Sequence, residues 1–251
     1  EGSRLRTNRA LSLQALEEAI ALYQKLEKWE KVYLLAMQTV EQAKGIKEKG
    51  VEGMVIGAEA KFKLGQEKIA RKMLAEVLQR SGRKSSSKKG GSEGETDSIT
   101  IAKARLLLAE SEMKRFERIE LVAPLDRNLE RKKALFNKLL KAYGRAAGAA
   151  SPLVALPATH RMGELFEAFS RSLLQSERPK ELSSEEREMY ERLLKEQALP
   201  YLQKAEEAYQ RNMSWGRKTG VENEWVTRSR EQFRLIHQEI DSFKSGGVLK
   251  G

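Results

Sequence analysis

Apolar residues recur at intervals of three and four along most of the chain, the period of an α-helix with one buried face. Leu11, Ala15, Ala19, Leu22, Tyr23 and Leu26 form a first run; Trp29, Val32, Tyr33, Ala36, Val40 and Ala43 form a second, stopped at Gly45. No Pro or Gly separates them, so a break near 26–29 rests on phase alone. Ala58, Phe62 and Leu64 then lead to Gly65, and Ile69, Ala70, Met73, Leu74, Val77 and Leu78 follow it. That spacing predicts a helical hairpin whose turn uses the tolerance of Gly65 for positive φ.

After a polar interval, Ile99, Ala102, Leu106, Ala109, Met113 and Phe116 form a long stripe, with Thr96 or Asp97 as its cap. Beyond Pro124 a helix is predicted over 126–148, with Phe136, Leu139, Leu140, Tyr143 and Ala147 on one face. Pro157 stands at the start of the next, which carries Met162, Leu165, Phe166, Phe169 and Leu173 and closes at Pro179. Ser183 and Glu186 make a capping box for a long helix in which Pro200 predicts a kink or break around 196–200. Gly216 and Gly220 mark a turn, and Trp225, Phe233, Ile236 and Ile240 belong to a last helix. The expectation is an all-α chain of about nine helices joined as antiparallel hairpins.

The interval 82–97, from Gly82-Arg83-Lys84 through Ser85-Ser86-Ser87 to Gly94, has no apolar residue to offset the entropy of ordering it. It is expected to be a flexible, solvated loop; a phosphorylation site at the serines or a nucleic-acid arm is the sharper but less economical reading.

Two hairpins repeat. Ala19-Ile20, Leu22-Tyr23, Trp29, Val32 and Ala36 in 13–46 correspond to Gly57-Ala58, Phe62, Gly65, Ala70 and Leu74 in 51–84. The second, Ala58-Glu59-Ala60-Lys61-Phe62-Lys63-Leu64-Gly65-Gln66 followed by Ala70, resembles the tetratricopeptide repeat. The copies start 38 residues apart (13 and 51) rather than the usual 34 or so, and neither has the closing Pro. Ala104-Arg105-Leu106-Leu107-Leu108-Ala109-Glu110, Arg161-Met162-Gly163-Glu164-Leu165-Phe166-Glu167 and Val221-Glu222-Asn223-Glu224-Trp225 resemble a module of large tetratricopeptide proteins of gliding and predatory proteobacteria, associated with envelope and motility machinery.

The resemblance implies a tetratricopeptide-like superhelix, an α-solenoid: two hairpins in 1–81, the loop 82–97, and divergent hairpins over 98–251 continuing the same superhelix. It also implies an interaction scaffold in an envelope or motility complex. Tetratricopeptide domains that grip a terminal carboxylate line the first helix of each hairpin with Lys, Arg and Asn. The matching positions here are Glu17 and Ala21, then Val55 and Glu59. Such a groove favours a basic or apolar protein segment.

Composition narrows the chemistry. No cysteine is present, which removes disulfides, Cys-based zinc sites, iron–sulfur clusters and thiol nucleophiles. No apolar run approaches the roughly 18–20 residues of a membrane helix. No P-loop or GxGxxG occurs, so no cofactor is expected. His160 and Glu164, one turn apart, supply only two of the ligands a metal site needs, and His237, Glu239 and Asp241 do not share one face. The serines fall in caps and loops without a histidine–acid pairing, and the reading is non-enzymatic.

The formal charge is +11, from 47 basic and 36 acidic residues. Residues 1–97 hold 19 basic against 14 acidic and residues 98–251 hold 28 against 22, which reads as an even spread over solvated faces. Arg131, Lys138, Lys141 and Arg145 nevertheless form one stripe of the 126–148 helix. That stripe could track phosphates or an anionic membrane surface and supports the alternative function, a basic helical-repeat module binding nucleic acid; a membrane is expected only through a missing anchor or a partner. The start at Glu1-Gly2-Ser3 reads as a processed or excised chain, so any signal peptide or membrane anchor would lie outside it. Lack of cysteine tilts the compartment toward the periplasm or envelope over the cytoplasm.

Overall fold

The computed structural model describes residues 2–44, 47–85 and 99–245. Among them are nine helices and no strand: α1 (Gly2–Lys25), α2 (Trp29–Gln42), α3 (Lys47–Lys63), α4 (Glu67–Ser85), α5 (Ile99–Glu117), α6 (Leu125–Ala147), α7 (Pro152–Leu174), α8 (Ser184–Thr219) and α9 (Glu224–Ser245). The chain divides into two compact units, Glu1–Ser111 and Glu112–Gly251. The division falls inside α5 and not in the 82–97 stretch, because Ile101 and Ala104 join the core formed by α3 and α4. Residues 82–85 continue α4, and the remainder of the expected loop lies outside the described residues.

In the first unit α1 packs on α2, α2 on α3 and α3 on α4, and the short turns that join α1 to α2 and α3 to α4 make those two pairs antiparallel. Both hairpin turns close alike. Lys28 N donates to Tyr23 O at 2.9 Å across Glu27 at φ +53°, and Gln66 N donates to Lys61 O at 2.8 Å across Gly65 at φ +73°. This six-to-one bond around a left-handed residue satisfies the last carbonyls of the leading helix. The two turns lie 38 residues apart (27 and 65), and burial follows the same offset. Ile20 and Ala58, Val32 and Ala70, Ala36 and Leu74, and Thr39 and Val77 are all buried. The two hairpins are therefore structural repeats of each other.

The buried face of α1 differs from the expected one. Leu13, Leu16 and Ile20 point inward, whereas Leu11, Leu22 and Leu26 are exposed. Two apolar stripes of the same period interleave on this helix, and packing against α2, not periodicity, chooses between them. Gly53 and Gly57 let α2 come close to α3: a Cβ at 53 would sit 2.8 Å from Ala36 O, and one at 57 would sit 2.7 Å from Met37 Cε.

In the second unit, α7 packs against α6, α8 and α9, and α8 packs against α9. Rings from four elements meet at its centre: Phe136 and Phe169 lie 4.8 Å apart, Phe169 and Tyr201 4.6 Å, and Phe116 stacks 6.4 Å from Phe169. The capping box of Ser183 and Glu186 opens α8. That helix continues through Pro200 without the expected break, and Pro200 itself is exposed. Pro157 is not at the start of its helix but inside it, since α7 begins at Pro152. Gly216 is likewise no turn residue. It is buried within α8, where a Cβ would sit 2.8 Å from Val226, and Gly220 at φ +68° ends the helix instead.

Candidate functional site

Of the inner positions expected to line a groove, Glu17 pairs with Lys49 at 2.6 Å and Glu59 with Lys103 at 2.7 Å, while Ala21 is exposed. Val55 is 1% exposed and belongs to the core with Ala58, Ala70 and Leu74, so no partner touches it. A groove lined by free acid is thus not what the first unit presents: both carboxylates carry a lysine.

The basic stripe of α6 is fully on the surface. Arg131, Lys138, Lys141 and Arg145 are exposed while Phe136, Leu139 and Tyr143 are buried. Only Lys138 has a nearby acid, Glu112 at 3.6 Å. The charge is also far less evenly spread than the division at residue 97 suggested. Residues 131–163 contain seven Lys or Arg (131, 132, 133, 138, 141, 145 and 161) and no Asp or Glu. Averaging over 154 residues (98–251) hid this run among the paired charges of α8 and α9.

One member of the run lies inside the protein. Lys132 is 2% exposed, and its Nζ donates to Phe116 O at 3.1 Å and Ile119 O at 2.6 Å, closing the C-terminal carbonyls of α5 above the Phe116 ring. A cation at a helix C-terminus is favoured by the helix dipole. Burial nonetheless disfavours the charge and lowers its pKa to about 8, against weaker attraction from Glu117 and Glu120.

A cleft of about 190 Å³ lies at the α6–α7 turn. Ala147 and Ala149 form one side, Pro152, Leu156 and Thr159 of α7 the floor, and Arg211 and Trp215, one turn apart on α8, the far wall. Its one lining residue from α6, Ala147, is two positions past Arg145, about 200° further around the helix and on the side of Tyr143, so the cleft and the cations lie on different faces. Leu153, beside it, is 86% exposed, the most exposed large apolar side chain described. The volume lies below the roughly 300–1,000 Å³ of small-molecule sites and suits one bulky side chain.

Between α7, α8 and α9 lies a buried polar cluster. His160 Nδ1 is 2.9 Å from Ser229 Oγ, and His160 Nε2 is 3.3 Å from Glu164 Oε1. Asn212 donates to Ser229 Oγ at 3.1 Å and to Leu156 O at 3.0 Å. Ser229 was not expected beside a histidine: it is mid-helix, 69 residues from His160, and only the packing of α9 on α7 joins them. The order serine–histidine–acid is that of a nucleophile relay, but Ser229 has 0% exposure, so no substrate reaches its oxygen in this arrangement. Both ring nitrogens of His160 are engaged by protein groups, and among the described residues no three His, Asp or Glu side chains are placed to hold a metal ion. Burial opposes ionisation of Glu164, but hydrogen bonds from His160 and Arg161 outweigh it and hold the carboxyl below its usual range.

One turn on, Glu167 faces Tyr209 in the core. Neither Glu167 Oε1 nor the Tyr209 hydroxyl has a hydrogen bond of good geometry. Burial raises the Glu167 carboxyl to about 7 and pushes the Tyr209 phenol upward. On the surface, His237 Nδ1 lies 2.6 Å from Glu206, with Asp241 at 3.6 Å from Nε2; the bond to Glu206 first, then the charge of Asp241, raises the imidazole pKa. No described helix is long and apolar enough to cross a membrane. Compared with known proteins, the chain matches no family model, no curated protein and no solved structure.

Proposed function

We propose that the chain is a non-enzymatic protein-interaction scaffold, built of tetratricopeptide-like hairpins stacked as a superhelix, whose binding surface lies on α6 and the α6–α7 turn. The observation that carries this is the exposed cation stripe of α6, Arg131, Lys138, Lys141 and Arg145, within a run from 131 to 163 that holds no acid. The exact 38-residue offset between the hairpins supports repeat architecture, in which stacking supplies both core and binding surface. The envelope or motility setting rests on the resemblance of the short motifs alone.

The test is site-specific photocrosslinking from position 153 in cells that make the protein. Protein adducts that disappear when Arg145 and Arg211 are reversed to Glu support the scaffold. Recovery of nucleic acid and no protein overturns it in favour of the second reading, a basic nucleic-acid module, which the seven-cation run favours. For that module, log affinity falls steeply and linearly with log salt.

A further inference from the structure

Resting on the scaffold reading, we infer that the cleft at the α6–α7 turn is a socket for one tryptophan side chain of a partner protein, whose indole N–H donates to Asn212 Oδ1. Shape, hydrogen bonding and charge each point to that occupant.

The shape comes from two helix faces. Pro152, Ala155, Leu156 and Thr159 stand at helical spacing on one face of α7, while Arg211, Asn212 and Trp215 share a face of α8. Ala147, Ala149 and Ala150 close the remaining side with small groups. An apolar cavity of about 150 Å³ holds a benzene ring. The 190 Å³ of this cleft leaves room for the fused rings of an indole.

The hydrogen bonding comes from Asn212. It is 2% exposed, and its Nδ2 is used inward, on Leu156 O at 3.0 Å and Ser229 Oγ at 3.1 Å. A carbonyl only accepts, so the bond to Leu156 fixes which end of the amide is nitrogen. Oδ1 is left as an acceptor with no donor among the described residues. Unlike the unpartnered hydroxyl of Tyr209, it is not sealed in, and the open space that Asn212 borders is the cleft. A purely apolar occupant would shut water away from this oxygen and leave it unmet, which is costly. A carboxylate or carbonyl would set oxygen against oxygen. Indole brings one donor and no acceptor on an otherwise apolar ring.

The charge comes from Arg211, the one charged residue of the lining, which is exposed and has no ion pair among the described residues. A guanidinium at the mouth favours an indole face over any other side-chain ring. A phosphate backbone that follows the α6 cations does not cross the cleft, because the two lie on different faces of α6. Bare Leu153, next to Pro152, adds apolar surface for the residues that carry the tryptophan.

The experiment titrates the whole chain with N-acetyltryptophanamide, its 1-methylindole analogue, N-acetylphenylalaninamide, N-acetyltyrosinamide, free indole and adenosine. The readout is the NMR signal of each tryptophan indole N–H; Trp215→Phe assigns that of Trp215, and Trp29 and Trp225 serve as controls. The inference expects N-acetyltryptophanamide to shift the Trp215 signal. It should also bind about tenfold tighter than the methylated and phenylalanine probes, the ratio given by an unmet acceptor costing about 1.4 kcal/mol. Ala149→Phe, which fills the cleft, should remove the binding. The methylated probe tests the hydrogen bond without altering the protein, so it remains informative if that variant misfolds. Equal binding of the tryptophan and methylated probes, tighter binding of the tyrosine probe or adenosine, or an unmoved Trp215 signal overturns the inference. Binding of free indole without the amide overturns it too, in favour of a small molecule. If crosslinking from position 153 still yields protein adducts in any of these events, the scaffold reading stands and only the tryptophan socket is lost.

Discussion

Replacing Glu167 by Gln tests the account of the second unit's core. The carboxyl is packed between α7 and α8 with Oε1 unpartnered, and burial raises its pKa from the ordinary 4.5 to about 7. Arg171 on the same helix pulls the other way, Tyr209 of α8 offers a weak favourable contact, and Glu164 of α7 and Glu239 of α9 push it further up. The sign follows from proton counting. Between pH 4.5 and 7 the folded protein holds a proton that the unfolded chain has released, so stability falls as pH rises through this window. A shift of about 2.5 units corresponds to roughly 3 kcal/mol, full above pH 7 and gone below 4.5.

Urea unfolding of the wild type and Glu167→Gln at pH 5 and pH 8 isolates the effect, since every other titrating group is common to both. The variant should gain about 2–3 kcal/mol on the wild type between the two pH values. Parallel stabilities, differing by less than about 1 kcal/mol between pH 5 and 8, would refute the buried, uncompensated acid.

Other consequences follow from the same coordinates. Gly163→Ala would drive a methyl into the Tyr209 ring and should cost at least about 1–3 kcal/mol in thermal or urea unfolding; Tyr209→Leu in the same chain should recover part of it. Lys132→Met should separate from the wild type at alkaline pH. With a folded pKa of about 8 against 10.5, the wild type sheds a proton that its unfolded chain keeps, so it should gain about 2 kcal/mol on the variant between pH 7.5 and 10. In the first unit, Gly65→Ala should lose about 1 kcal/mol, while Glu27→Gly at the equivalent turn should gain up to that much; identical signs for both would refute the shared left-handed turn.

How far the sequence disclosed this depends on whether the signal was local. The capping box at Ser183 and Glu186 and the turn at Gly65 involve residues within three and five positions of each other, and both stand as expected. The turn at Glu27 was marked only by the change of apolar phase near 26–29, because a glutamate occupies a conformation that glycine usually announces. Leu11, Leu22 and Leu26 were assigned inward because two stripes of one helix share a period, and only the approach of α2 favours Leu13, Leu16 and Ile20. Ser229 and Val55 show the same limit. One acquires a histidine partner from 69 residues away, and the other loses its surface to α4 and α5.

The charge of α6 was legible in the sequence but averaged away, and its placement makes it more than solvation. Any amphipathic helix needs polar outer residues, but mixed signs serve that need better. Opposite charges three or four apart stabilise a helix by roughly 0.2–0.5 kcal/mol, and like charges at that spacing cost about as much. The fold uses the favourable arrangement elsewhere, pairing Lys204 with Glu207 at 2.9 Å and Arg228 with Glu224 at 2.5 Å. On α6 it does the opposite. Lys138, Lys141 and Arg145 stand at steps of three and four with no intervening acid, and an open glycine sits among them. Lys132 of the same run is held inside by α5 carbonyls, and Arg161 is neutralised by Glu164 at 2.6 Å, so each has its reason within the fold. Lys133 follows Glu130 by three residues, whereas Arg131, Lys141 and Arg145 have no acid three or four positions away. Their repulsion lowers the stability of the free helix, and anions lying along it would relieve that cost, which is the physical reason for proposing a partner at α6.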